Sequence, residues 1–109
     1  MPFEIFIQSI VERIVQLFHP KTIVLFGSCA RGDFTPQSDI DLMIIMDEPF
    51  VSDKERWRLM SSLWKNLKSF KVPKDILVFS QQEVNEWRGS SNHVIGRALR
   101  EGKILYDRE

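Results

Sequence analysis

Three carboxylates and one Gly-Ser bend carry whatever chemistry this sequence can do. Asp39 and Asp41 stand two residues apart at the head of the run DIDLMIIM, and Asp75 heads a similar run, DILVF. Side chains alternate across a strand, so Asp39 and Asp41 point to one face. If the two runs are neighbouring strands, Asp75 meets the pair at one end of a sheet. A carboxylate removed from water without a partner is costly, and three together also repel one another. A hard divalent cation relieves that repulsion, and an all-carboxylate donor set favours Mg²⁺ or Mn²⁺, which keep waters and accept phosphate oxygens.

Eleven residues ahead of Asp39 lies Ser28, preceded by Gly27. Glycine lets a backbone approach a ligand closely, and N–H groups at the start of a following helix suit an anion. The Ser28 hydroxyl adds a further hydrogen bond. A phosphate cradle beside a metal-binding pair points to a nucleoside triphosphate. Two commoner phosphate motifs fail. Gly27 and Gly32 frame G-x-x-x-x-G, but Asp33 and Phe34 stand where a P-loop needs Lys and Ser/Thr, and there is no G-x-G-x-x-G. Arg31 is a candidate contact for the triphosphate, its alternative being an ion pair with Asp33 or a metal-site carboxylate. Ser38 either bonds the nucleotide or shapes the turn before Asp39. Cys29 reads as a small packed residue, and neither His19 nor His93 has metal-ligand spacing.

The elements that must position these groups are legible in the apolar pattern. Phe3 to Phe18 carries apolar residues at three- and four-residue spacing, a one-faced helix ended by Pro20. TIVLF (22–26) is a buried strand, CARG a short helix, and Gly32 to Ser38 a loop. Asp39 to Met46 is the second strand. Ser52 and Glu55 fit a capping box, followed by a stripe of Trp57, Met60, Leu63, Trp64 and Leu67. That spacing puts Trp57 and Trp64 in the core or at a partner interface. Asp75 to Phe79 is the third strand, Ser80 and Glu83 start another helix, Val94 to Arg100 a further one, and Ile104 to Tyr106 an edge strand. The order α-β-α-β-α-β-α-α-β implies an α/β (α+β) fold, a small mixed sheet flanked by helices.

The 109 residues suit one domain, 1–109. Fifteen basic residues balance fifteen acidic ones, which argues against stable nucleic-acid binding. A lone cysteine and the absence of a signal-like or membrane-spanning run make a cytoplasmic protein the expectation. Lys65, Lys68, Lys71 and Lys74 recur every three residues, either as a solvated face or as a landing strip for an acidic partner or RNA.

GSCARGDFTPQSDIDLMI resembles the active-site segment of the DNA polymerase β-like nucleotidyltransferase superfamily, in which a strand ends in Gly-Ser and Asp-x-Asp opens the next. KDILVF is similar to that superfamily's third acidic strand. The GSxARG run and the EGKILYDRE ending look most like the minimal nucleotidyltransferase (MNT) family of prokaryotes. The resemblance implies a polymerase β palm-like fold in which Gly27 and Ser28 hold the triphosphate and Asp39 and Asp41 hold the metals. Asp75 would complete a metal site and help deprotonate the acceptor hydroxyl. It further implies transfer of a nucleoside monophosphate, AMP from ATP, with release of pyrophosphate. Two Mg²⁺ ions would serve, one at the nucleophile and one at the leaving group. Many family members are antitoxins paired with a HEPN-domain toxin, and some modify a tyrosine on it. So small a chain leaves little room for an acceptor-binding domain, so a macromolecular acceptor is expected. The rival readings are an antitoxin that neutralises a HEPN toxin by contact alone and a transferase acting on RNA ends.

Overall fold

The computed structural model describes residues 3–32 and 39–108. In chain order the elements are α1 (Phe3–Phe18), β1 (Thr22–Phe26), α2 (Gly27–Arg31), β2 (Ile40–Met46), α3 (Asp53–Leu67), β3 (Lys74–Ser80), α4 (Gln81–Trp87), α5 (Val94–Glu101) and β4 (Lys103–Asp107). The strands form one sheet in the order β3-β2-β1-β4. β1 runs antiparallel to both β2 and β4, whereas β2 and β3 are parallel. Parallel neighbours need a crossover connection, and α3 supplies it.

The sheet is covered on both faces, which explains why β2 reads LMII rather than alternating. Ile40, Leu42 and Ile44 of β2 pack with Ile23 and Leu25 of β1 and Ile76 and Val78 of β3. That layer closes against Ile7, Ile10, Val11 and Ile14 of α1 and Leu63 and Leu67 of α3. The opposite-facing Val24, Met43 and Ile45 pack on Val84 of α4 and on Ile95 and Ala98 of α5. Each fully buried aliphatic side chain contributes about 1.5–3 kcal/mol of burial free energy before conformational entropy opposes it.

Helix ends follow their local chemistry. Ser52 Oγ accepts from the Glu55 N–H at 3.2 Å, and Ser80 with Glu83 forms a complete capping box at the start of α4. His93 caps α5 from the loop before it: its Nδ1 accepts from the Ile95 N–H at 3.1 Å while its ring stacks on Trp87. On α3 the structure decides between the two alternatives for the tryptophans. Leu63 and Leu67 are fully buried, but Trp57 is 71% and Trp64 43% exposed, so neither tryptophan belongs to the core. The apolar stripe is narrower than its composition suggests, because α1 and the sheet cover only one side of α3.

Candidate active site

The strand register assembles the carboxylates. β2 and β3 run side by side with Asp41 opposite Asp75, one residue inside the start of β3 rather than at its first position. Neighbouring strands lie about 4.8 Å apart, and aligned side chains leave the sheet on the same face. On the other side of β2, Asp41 pairs with Phe26, the last residue of β1. The chain turns there into Gly27 and α2, so the Gly-Ser bend lies beside Asp41. Asp39 immediately precedes β2, two residues from Asp41 and on the same face. The Cys29 thiol donates to the Asp39 carbonyl at 3.3 Å, which ties the head of β2 to α2.

Gly27 is held where no other residue fits well. Its φ is +73°, and a Cβ there would stand 2.2 Å from Asp41 Oδ2. The missing side chain is therefore what allows the bend to lie against the carboxylate. Ser28 is half-buried in the first turn of α2. The cap position belongs to Phe26, which makes no side-chain cap, so Ser28 does not act as an ordinary N-cap.

The electrostatics follow from this crowding. Burial first, then the charges of Asp75 and Asp39, push the Asp41 carboxyl above its ordinary value, with Arg31 partly offsetting them. Burial and the same site's Asp41 and Asp39 raise the Cys29 thiol, which suits a packed residue and not a nucleophile. Asp39 and Asp75 are exposed. Among the described residues, no three His, Cys, Asp or Glu side chains are gathered closely enough to form a ready cage for a metal ion. The acids sense one another's charge without closing into one. An all-oxygen set that mutual repulsion destabilises fits a hard divalent ion.

Behind Gly27, a cavity of about 150 Å³ separates the bend from α5, lined by Phe26, Arg31, Val94, Arg97, Ala98 and Glu101. It is smaller than a typical small-molecule pocket and suits a corner of a ligand, with the rest over the open rim. Arg97 escaped the sequence reading. On α5 it has the spacing of an ordinary solvated residue, and only the packing of α5 against β1 and α2 brings it near Gly27. The predicted site residues Gly27, Ser28, Arg31, Asp39, Asp41 and Asp75 lie at this one end of the sheet; Ser38 lies outside the described residues. Larger hollows occur elsewhere, one of about 370 Å³ beside Met46 and Leu59 at the far end of β2, and one beside the lysines that follow α3.

Comparison with known proteins gives this geometry its context. The model of the nucleotidyltransferase domain family matches residues 7–105. The protein named "Putative protein adenylyltransferase MJ0604", from Methanocaldococcus jannaschii, is 36% identical over 86 residues, covering 79% of this chain and 78% of its own length. Two solved structures share the fold. One, described as a "putative nucleotidyltransferase from Sulfolobus solfataricus", superposes with a TM-score of 0.61 at 20% identity, over 94% of this chain and 78% of its own. The other, a toxin-antitoxin structure with AMP-PNP, superposes with a TM-score of 0.59 at 21% identity, over 99% of this chain and 76% of its own. With three acids and a glycine bend at one sheet end, and a family model spanning nearly all of its length, this chain belongs to the nucleotidyltransferase domain family and is a nucleotidyltransferase.

Proposed function

We propose that this nucleotidyltransferase moves AMP from ATP onto a hydroxyl of a partner protein, releasing pyrophosphate, and thereby acts as the antitoxin of a HEPN-domain toxin. The acceptor on that toxin would be a tyrosine. The observation that carries the reading is Asp41, wedged between the Gly27 bend and the in-register Asp75. A carboxylate in that position is poorly placed for stability and well placed for metal-assisted phosphoryl chemistry. The likeness to a relative named as a protein adenylyltransferase supports a protein acceptor. Fold neighbours from toxin-antitoxin structures, one with AMP-PNP, support the partner and the donor nucleotide.

Asp39 and Asp41 would hold Mg²⁺, with Asp75 completing one site. When bound, the ions neutralise the developing charge on the phosphates and lower the pKa of the attacking hydroxyl. The protein's own contribution is positioning. Gly27 lets the backbone pass close to the phosphates, Ser28 offers a hydroxyl, and Arg31 and Arg97 line the cavity beside the bend. Asp75, exposed at the rim, is placed to accept the acceptor's proton. Since phosphoryl-type transfer needs mainly alignment and charge neutralisation, this small set suffices.

Contact-only neutralisation is the rival that a specific feature favours: two exposed tryptophans on α3 suit a binding surface. The test is Asp39→Asn with Asp41→Asn, assayed with α-labelled ATP, Mg²⁺ and the partner. Loss of both label transfer and neutralisation supports catalysis. Neutralisation that survives unchanged without transfer refutes it in favour of contact. Label appearing on RNA instead of protein would establish the third reading.

A further inference from the structure

The chain is neutral overall, yet its charge is not evenly spread. From Arg56 to Lys74 the sequence holds four lysines and two arginines and not one Asp or Glu. This stretch comprises most of α3 and its connection to β3. Past the end of α3 it surrounds a groove of about 650 Å³ whose floor is Phe70 and Val72 and whose rim is Trp64, Lys65, Lys68 and Lys71. Lys74 plays a different part: its ammonium donates to the Phe70 and Val72 carbonyls at 2.7 and 3.1 Å and fixes the groove's shape. The other three lysines are exposed.

The groove continues onto the solvent face of α3. Trp57 and Trp64 lie seven residues apart, hence on one helical face and about 10.5 Å apart along the axis. Both indoles are open to solvent. Exposed tryptophans at this spacing match the i and i+7 anchors of a partner helix, and such residues dominate protein interfaces. The groove also leads directly into β3, where Asp75 follows Lys74, and the Ile40 N–H bonds the Pro73 carbonyl at 2.9 Å. Lys74 and Asp75 are consecutive on β3, so the basic surface and the acids reach the same end of the sheet from opposite faces.

We infer that the Trp57–Trp64 face of α3 and the adjoining lysine groove dock an acidic, amphipathic helix of a partner protein, beside the acid rim that receives its hydroxyl. The second half of this inference rests on the function proposed above; the docking itself does not. Apolar side chains of the partner cover the indoles and Phe70, while its carboxylates meet Lys65, Lys68 and Lys71.

Fluorescence anisotropy on the full chain tests this with two probes of matched charge: a labelled helical peptide of Glu, Ala and Leu, with Leu at i, i+4 and i+7, and a labelled oligouridylate. The peptide should bind more tightly than the oligonucleotide at about 0.1 M salt, where distant charges are screened. Lys65→Glu with Lys68→Glu and Lys71→Glu should weaken the peptide roughly tenfold or more. Trp57→Ala with Trp64→Ala should weaken the peptide and leave the oligonucleotide unchanged. Circular dichroism checks folding, and Lys→Gln at the same three positions replaces the reversal if that variant fails to fold. No peptide binding, peptide affinity untouched by both sets of variants, or tighter binding of the oligonucleotide overturns the proposal. Mn²⁺-ATP binding measured on the same samples separates the two ideas: an intact nucleotide site with no peptide binding refutes the docking surface alone, and the converse refutes the transferase site alone.

Discussion

Gly27→Ala isolates the contact on which the site is built. Two costs arise, and the structure separates them. The first is backbone strain: Gly27 has φ +73°, where an L side chain costs about 1–2 kcal/mol. Gly32 has φ +80°, and a methyl group placed there would meet nothing within 4 Å among the described residues, so Gly32→Ala incurs this strain alone. For a domain of this size each kcal/mol lowers Tm by about 4 °C, so strain alone should lower Tm by about 4–8 °C in both variants, and Gly27→Ala should fall further. The second cost belongs to Gly27 only. Its new Cβ would stand 2.2 Å from Asp41 Oδ2, and ordinary contact begins near 3.4 Å. The carboxylate must retreat by about 1 Å, and misplacement on that scale costs about 10²-fold in turnover. Thermal melts, calorimetric titration with Mn²⁺ and pyrophosphate-release kinetics on the two alanine variants form the assay. Gly27→Ala should lose metal affinity and turnover beyond anything seen for Gly32→Ala. In an Asp41→Ala background the stability excess of Gly27→Ala over Gly32→Ala should vanish. If the two glycine variants behave alike in metal affinity and turnover, Asp41 is not held against the bend and the reasoning fails.

Three further outcomes follow from single contacts. Asp41→Asn relieves the repulsion among Asp39, Asp41 and Asp75, so without added metal it should melt above the parent at neutral pH, whereas Mg²⁺ should raise Tm only for the parent and transfer should fall by about 10²-fold or more. Arg97→Ala, at the cavity beside Gly27, should raise KM for ATP by roughly tenfold with a smaller change in kcat, the loss expected of one charge-assisted phosphate contact. Arg56 donates to Glu83 at 2.6 Å and to the Val78 carbonyl at 2.8 Å, so Arg56→Ala should cost about 2 kcal/mol and about 8 °C in Tm. The same pair predicts a pH dependence: burial works to raise the Glu83 carboxyl, but hydrogen bonds from Arg56 and Ser80 outweigh it and hold it below its ordinary value. Its stabilisation is complete above the ordinary carboxyl value and is lost as pH falls through the lowered one; melting the parent and Arg56→Ala across the acid range should show the variant's curve flattened there.

Local pattern determined a good deal of this protein. The order of the described elements follows from apolar period, turn residues and capping pairs, because each of these acts within a few residues of chain. The Gly27-Ser28 bend and the Asp39/Asp41 pair were visible for the same reason: the requirement for a glycine and the alternation of a strand are local constraints. Strand starts shifted by a residue at Ile40 and Lys74, where the ladder rather than the composition sets the boundary.

Other features depended on pairing and packing at long range. That Asp75 faces Asp41 is decided by the parallel β2–β3 register, which a single-residue slip would turn to the opposite face. Arg97 reaches the neighbourhood of Gly27 only because α5 packs on β1 and α2, a contact between segments about seventy residues apart. The exposure of Trp57 and Trp64 was likewise undecidable from spacing, since a periodic stripe says which residues share a face and not how much of that face another element covers. The sequence by itself determined which groups were available for metal and phosphate chemistry and on what local scaffolds. The tertiary structure decided which of them meet, because meeting depends on register and on helix coverage, and both are set by burying one common core.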